Sequence, residues 1–154
     1  YMPNDVAFNA APFVSPADFS EIVEPYWRRQ VERAHEHGLL AFIHTDGQIM
    51  PILDSLVSLG ADLLQSIDPM AGVDIAEVKR LTDGKLAIQG NVQCSLLQDG
   101  PKEAIRESAR YCLEHGTPGG GYIFGTSNTI FPGMPLEHYE YMLEVFEEFN
   151  RERG

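Results

Sequence analysis

The chain has 154 residues, the size of a single domain, and its 11 Lys and Arg against 23 Asp and Glu give a formal net charge of -12. This charge repels phosphate backbones and anionic lipid headgroups, so we expect neither a nucleic-acid partner nor a membrane partner. No apolar run approaches the roughly 20 residues of a spanning helix, and the first residues have no signal-peptide pattern, which predicts a cytoplasmic protein.

Hydrophobic periodicity predicts one unit repeated five times, in which a short apolar strand leads through a polar or glycine-containing joint into an amphipathic helix. The apolar runs are mostly continuous, which is typical of parallel strands covered on both faces. The predicted strands are Val6–Asn9, Leu39–His44, Asp62–Ile67, Lys85–Gln89 and Gly121–Phe124.

The first predicted helix begins at Ser15, an N-cap followed by proline, and ends at Gly38. The later helices each end at glycine, at a glycine-containing turn or near the chain end, and they cover Ile49–Leu59, Asp74–Leu81, Pro101–Glu114 and Pro135–Arg151.

Alternating strands and helices leave two architectures open. One is a doubly wound, flavodoxin-like sheet in the order 2-1-3-4-5, which length alone favours and which could serve as a non-catalytic binding module. The other is part of a (β/α)8 barrel, in which the strands follow one another sequentially. In both, the functional residues lie at the carboxyl ends of the strands.

Polar residues follow all five predicted strands, which predicts one functional site at the mouth formed by the connecting loops. His44 and Asp46 are two residues apart on an extended segment, so both side chains project to the same side and can share a metal, a proton or a substrate group. We take these two as catalytic residues and metal ligands. The predicted substrate-binding residues are Asn9, Asp68, Gln89, Asn91, Ser127 and Asn128.

Several short motifs then resemble, in order and along nearly the whole chain, the C-terminal half of the uroporphyrinogen decarboxylase superfamily. They are Ser15-Pro16 with Pro25-Tyr26, His44-Thr45-Asp46-Gly47, Gly60-Ala61-Asp62, Gly72-Val73-Asp74, Gln89-Gly90-Asn91-Val92, Gly121-Tyr122-Ile123 and Pro135-Leu136-Glu137-His138. The resemblance implies that residues 1–154 are a single domain of five sequential βα units, the C-terminal part of a TIM (β/α)8 barrel. It also implies an N-terminal stretch of similar size in the family.

The superfamily contains decarboxylases of haem biosynthesis and methyltransferases that act with corrinoid proteins or thiols, commonly with zinc. Members of the zinc type resemble this chain at His44 but carry cysteines where it has Asp46 and Asn128. This replacement implies a harder site for zinc or another divalent metal. The decarboxylases resemble the chain at Gln89-Gly90-Asn91 but carry histidine near Asn128.

The placement of the basic residues favours the methyltransferase branch. All 11 fall on predicted helices or at strand starts, so no loop at the mouth offers a cation to a substrate rich in carboxylates. We therefore predict methyl transfer involving a small-molecule substrate and a corrinoid protein or thiol. The alternative is a uroporphyrinogen decarboxylase or a related decarboxylase. Because five barrel strands leave open edges, we also expect a homo-oligomer or pairing with a chain that supplies the remaining strands.

Overall fold

The computed structural model describes all 154 residues and contains one five-stranded sheet in which every neighbouring pair of strands is parallel. The strand order is sequential, which excludes the doubly wound alternative and identifies five consecutive βα units of a (β/α)8 barrel. The strands are β1 (Met2–Pro3), β2 (Phe42–His44), β3 (Leu63–Ile67), β4 (Ala87–Val92) and β5 (Tyr122–Thr126).

Helical structure is present in each of the five predicted segments, and Cys94–Asp99 forms an additional short helix that the sequence pattern did not predict. Ser15 caps the first one as predicted, its Oγ accepting from the Asp18 N–H at 3.1 Å, and a π-helical turn at Phe19–Val23 interrupts that segment. Short 3₁₀ turns lie at Met50–Ile52 and Pro69–Ala71. The α-helices are α1 (Pro16–Asp18), α2 (Glu24–Glu36), α3 (Leu53–Ser58), α4 (Ile75–Thr82), α5 (Cys94–Asp99), α6 (Lys102–Gly116) and α7 (Leu136–Arg153). None is long and apolar enough to cross a membrane.

The prediction for the first strand is wrong. Residues 6–9 form a loop, in which Ala7 makes only an isolated antiparallel bridge to Pro12, and the true strand is Met2–Pro3. Apolar residues of this loop pack against each other instead of joining a sheet: the ring centroids of Phe8 and Phe13 lie 4.4 Å apart. As a result Asp5, rather than Asn9, follows the first strand.

The two faces of the sheet differ in polarity. Ile43, Leu64 and Ile88 are aligned across β2, β3 and β4 and are fully buried in the core. The next residues of the same strands alternate to the other face, which corresponds to the interior of a barrel. This row, which we call the polar row, consists of His44, Gln65 and Gln89 and ends at Ile123 on β5.

Strands β1 and β5 are the two open edges of the sheet, and Ile123 on β5 is 47% exposed. Unpaired backbone groups next to exposed apolar side chains favour pairing with another chain. We predict that the isolated chain associates as its concentration rises, as measured by sedimentation velocity over a wide dilution range. A monomer that unfolds cooperatively at every concentration would contradict this prediction.

Candidate active site at the strand ends

Three potential metal ligands lie at the carboxyl ends of β1 and β2. His44 Nε2 is 3.7 Å from Asp5 Oδ1 and 3.9 Å from Asp46 Oδ2, and one donor atom from each of the three residues lies within 4.8 Å of the others. His44 and Asp46 were predictable from the sequence but Asp5 was not, because it precedes the predicted first strand and follows the true one.

A hydrogen bond in the polar row fixes the tautomer of His44. Its Nδ1 lies 3.2 Å from Oε1 of Gln65, which also accepts from the Tyr1 hydroxyl at 3.1 Å. An amide oxygen can only accept, so Nδ1 carries the proton. Nε2 is therefore the ring nitrogen that faces the two carboxylates and the one through which His44 can exchange a proton or bind a metal ion.

The carboxylate of Asp46 is held at both oxygens. Oδ1 accepts from the Ser66 hydroxyl, and Oδ2 accepts from Asn128 Nδ2 at 2.6 Å. Burial is the main cause that raises the pKa of Asp46, and the nearby carboxylates of Asp5 and Asp68 raise it further. His44 and Asn128 lower that pKa without cancelling the rise. A negative charge held in this way is stabilised by an added cation.

Ser66 is a site residue that sequence reasoning missed. Its φ is 74°, a left-handed conformation that is uncommon for serine, and the register of β3 against β4 shifts between Gln65 and Ile67. The side chain is fully buried, and Oγ lies 2.6 Å from the carbonyl oxygen of Ser127 as well as against Asp46. This bulge directs a hydroxyl of β3 toward the mouth.

A glycine next to Asp46 allows the loop at residues 6–13 to cover this region. Gly47 has a φ of 90°, and a Cβ there would lie 2.7 Å from the carbonyl oxygens of both Ala7 and Phe8. Phe8 in turn accepts from the Gln48 N–H at 2.8 Å. The His44-Thr45-Asp46-Gly47 motif therefore combines two candidate ligands with the turn that brings the loop close.

Two of the predicted substrate-binding residues use their polar atoms to hold the loops. Asp68 caps the turn at Pro69–Ala71, since its Oδ1 accepts from the Met70 N–H at 2.9 Å, and burial raises its pKa. Asn91 donates to the carbonyl oxygens of Ile67 and Val73, at 2.6 and 3.2 Å.

The remaining predicted residues lie in different surroundings. Strand β4 continues to Val92, so Gln89, predicted as the last strand residue, and Asn91, predicted beyond the strand, both lie inside it. Gln89 lies in the polar row, whereas Gly90, with a φ of 125°, breaks the alternation and leaves Asn91 facing α6. Ser127 Oγ is the one buried side-chain polar atom without a hydrogen-bond partner, Asn128 is exposed at the mouth, and Asn9 is exposed in its loop.

Comparison with known proteins places this site in a family. Residues 5–149 match the family model described as uroporphyrinogen decarboxylase. The chain belongs to the uroporphyrinogen decarboxylase family. It is 28% identical over 135 residues to a uroporphyrinogen decarboxylase of Thermus thermophilus and 31% identical over 133 residues to one of an Anaeromyxobacter species. These alignments cover 88% and 86% of this chain but only 38% and 37% of the relatives.

A solved structure shares the fold. A methyltransferase from Methanosarcina mazei superposes with a TM-score of 0.74 at 23% sequence identity, over 89% of this chain and 38% of the other. The chain therefore spans less than two fifths of the length of the relatives it matches.

This member of the uroporphyrinogen decarboxylase family presents nitrogen and oxygen donors at the mouth, and both of its cysteines are engaged elsewhere. Cys94 Sγ lies 3.2 Å from both the backbone N and the carbonyl oxygen of Asn128, so the thiol holds a loop. Cys112 is buried against Asn91 on the helix side, and burial raises its pKa to about 12. Neither thiol is a candidate ligand beside His44.

The raised pKa of Asp46 predicts a specific pH dependence of stability. Between the ordinary aspartate pKa and the raised one, the folded chain binds more protons than the unfolded chain, so stability falls as pH rises through that window. We predict that Asp46→Asn removes this fall and raises the free energy of unfolding at neutral pH. Urea unfolding of the wild type and of Asp46→Asn, at several pH values from acidic to neutral, measures this pH dependence.

Asp62 provides a control of opposite sign. Burial raises its pKa, but hydrogen bonds from the Ala41 N–H and from His35 outweigh that effect and lower it overall. Asp62→Asn should therefore lower the free energy of unfolding by about 1 kcal/mol at neutral pH. If Asp46→Asn and Asp62→Asn shift stability in the same direction, the account of Asp46 is wrong.

The backbone of Ser66 predicts an unusual order of stability between two variants. Ser66→Ala removes the hydroxyl and keeps the left-handed strain, whereas Ser66→Gly removes the hydroxyl and relieves the strain. We predict that the glycine variant is more stable than the alanine variant by about 1 kcal/mol in urea unfolding. Equal stabilities, or alanine above glycine, would show that the bulge is unstrained.

Proposed function

We propose that this chain is part of a methyltransferase of this family, which passes a methyl group to or from a corrinoid protein or a thiol. His44 and Asp46 would hold a divalent metal ion that takes part in the reaction. The observation that carries the proposal is the cluster of His44, Asp5 and Asp46, an imidazole and two carboxylates at the mouth of a barrel.

The donor set fits a divalent metal ion. One imidazole nitrogen and two carboxylate oxygens suit zinc, cobalt or manganese, and three protein ligands leave a position open for a substrate. Two donors about 2.1 Å from a tetrahedral ion lie about 3.4 Å apart. The separations of 3.7 and 3.9 Å from His44 Nε2 come close to that value, so small side-chain rotations are sufficient.

The bound metal would supply a positive charge that favours the thiolate form of a substrate thiol or polarises a methyl donor. The protein's own residues hold the ligands in place: Gln65 orients His44, and Ser66 with Asn128 orients Asp46. Around them, Gln89 and Asn128 present polar groups to a substrate.

Charge at the mouth supports a small substrate that is not a polyanion. Asp5, Asp46 and Asp68 contribute negative charge there, while two arginines form ion pairs between helices, away from the mouth. Arg106 binds Glu148 at 2.6 Å and Arg110 binds Glu152 at 2.8 Å, both between α6 and α7. A substrate with many carboxylates would find repulsion rather than a counter-ion.

Decarboxylation is the second candidate function, and the relatives favour it. The similar proteins from Thermus thermophilus and Anaeromyxobacter are named uroporphyrinogen decarboxylase. In such a reaction a carboxylate leaves as CO2 and the resulting carbanion is protonated. Cations for the remaining carboxylates would have to lie outside these 154 residues.

The metal is testable by titration. We predict that the chain binds zinc, cobalt or manganese in calorimetry, and that His44→Ala abolishes this binding because it removes the only imidazole of the cluster. Ser66→Gly should weaken the binding about tenfold, since it leaves the ligands and removes the hydroxyl that orients Asp46.

His35→Ala is the matched control. His35 pairs with Asp62 at 2.9 Å but has no third ligand nearby, so its loss should leave metal binding unchanged. Binding that survives His44→Ala, or no binding of any of the three ions by the wild type, would contradict the proposal. Tight binding of uroporphyrin in place of metal would favour the decarboxylase.

A further inference from the structure

A pocket of about 350 Å³ lies beside the metal-ligand cluster, within the size range of small-molecule sites. Three successive strand ends form its walls: Met70 follows β3, Cys94 begins α5 after β4, and Phe131 and Met134 lie in the loop after β5. Eight residues line the pocket and none is charged. This lining contrasts with the carboxylates next to it.

Packing within the chain does not explain the apolar side chains of this pocket. Met70 is 51% exposed and Phe131 46% exposed, although both follow strands at a polar mouth. Large apolar groups left in water at a concave site are typical of a ligand-binding surface.

The walls of the pocket are held in place by hydrogen bonds. Besides the contacts of Cys94 Sγ, the carbonyl oxygen of Asn128 accepts from Thr126 Oγ1 at 2.6 Å, and the Met134 N–H donates to the Phe131 carbonyl at 3.2 Å. A loop tied at these points loses less conformational entropy when a ligand binds. The pocket is therefore formed in advance.

Asn128 joins the pocket to the metal-ligand cluster. It lines the pocket, and its Nδ2 donates to Asp46 Oδ2 at 2.6 Å. The pocket and the carboxylate of Asp46 are therefore separated by a single side chain.

We propose that this pocket is the subsite for an uncharged aromatic group of the substrate, whose polar end lies at Asp46 and His44. The proposal rests on the proposed function and narrows its substrate class. A phenyl ring suits the walls because Phe131 can stack on it and because the thioethers of Met70 and Met134 make favourable contacts with aromatic rings. The lack of charge in the lining disfavours a carboxylate at the same place.

The five methionines of the chain allow a residue-specific test of the proposed aromatic subsite. We would label their methyl groups with carbon-13 and titrate benzyl alcohol while recording NMR spectra. The signals of Met70 and Met134 should shift, whereas that of Met142, a buried residue of α7, should not. Trimesate, an aromatic ring with three carboxylates, should shift neither.

Two variants with exposed apolar residues sharpen the test. Phe131→Ala should weaken benzyl alcohol binding about tenfold, because it removes the stacking ring. Leu136→Ala is the matched control: Leu136 is 66% exposed, near in sequence and outside the pocket, so binding should not change. Equal shifts of all five methionines, equal binding of trimesate, or unchanged binding by Phe131→Ala would overturn the subsite.

The two proposals fail in different ways. Benzyl alcohol binding should persist in His44→Ala, because His44 does not line the pocket. Shifts of the Met70 and Met134 signals without metal binding would support the aromatic subsite and contradict the metal site. Metal binding without those shifts would support the metal site and contradict the subsite.

Discussion

The half-buried carboxylate of Asp46 is the group around which the mouth of the barrel is organised. It follows β2, accepts from Ser66 on β3 and from Asn128 after β5, and faces the imidazole at the end of β2. Its charge is unfavourable to folding, because burial and the neighbouring carboxylates both favour its protonated form. Under the proposed function, a bound divalent cation would offset this cost.

The donor atoms at the mouth determine which metal ions the proposed site would suit. Carboxylates are harder ligands than thiolates and suit a wider range of divalent ions. Asn128 supports the carboxylate of Asp46, because its side chain donates to Asp46 while its backbone N–H donates to Cys94 Sγ. Under the proposed function, Asn128 would therefore orient an oxygen ligand of the metal.

Much of the fold could be predicted from the sequence, and the exceptions have physical reasons. The continuous apolar runs of β2 to β5 and the capped helices locate those elements within a few residues. The first strand could not be found, because two residues ending in Pro3 show no alternation while the loop around Phe8 is more apolar. The choice between a doubly wound sheet and part of a barrel depended on the resemblance to the uroporphyrinogen decarboxylase superfamily, because chain length alone favours the sheet.

Some residues of the site could likewise be predicted from the sequence and others could not. His44 and Asp46 could be selected because they follow an apolar run two residues apart. Asp5 was missed with its strand. Ser66 was missed because its left-handed backbone depends on the register between β3 and β4, a long-range property with no local signal. Asn91 resembled a residue of the mouth, but the conformation of Gly90 turns it toward α6.

X-ray absorption spectroscopy of the zinc-loaded chain would identify the atoms that bind the proposed metal. We expect only nitrogen and oxygen neighbours at about 2.0–2.2 Å, with the multiple-scattering pattern of one imidazole. That imidazole signal should vanish in His44→Ala. A sulfur neighbour at about 2.3 Å would contradict the account, since it would mean that a cysteine binds the metal instead of Asp46.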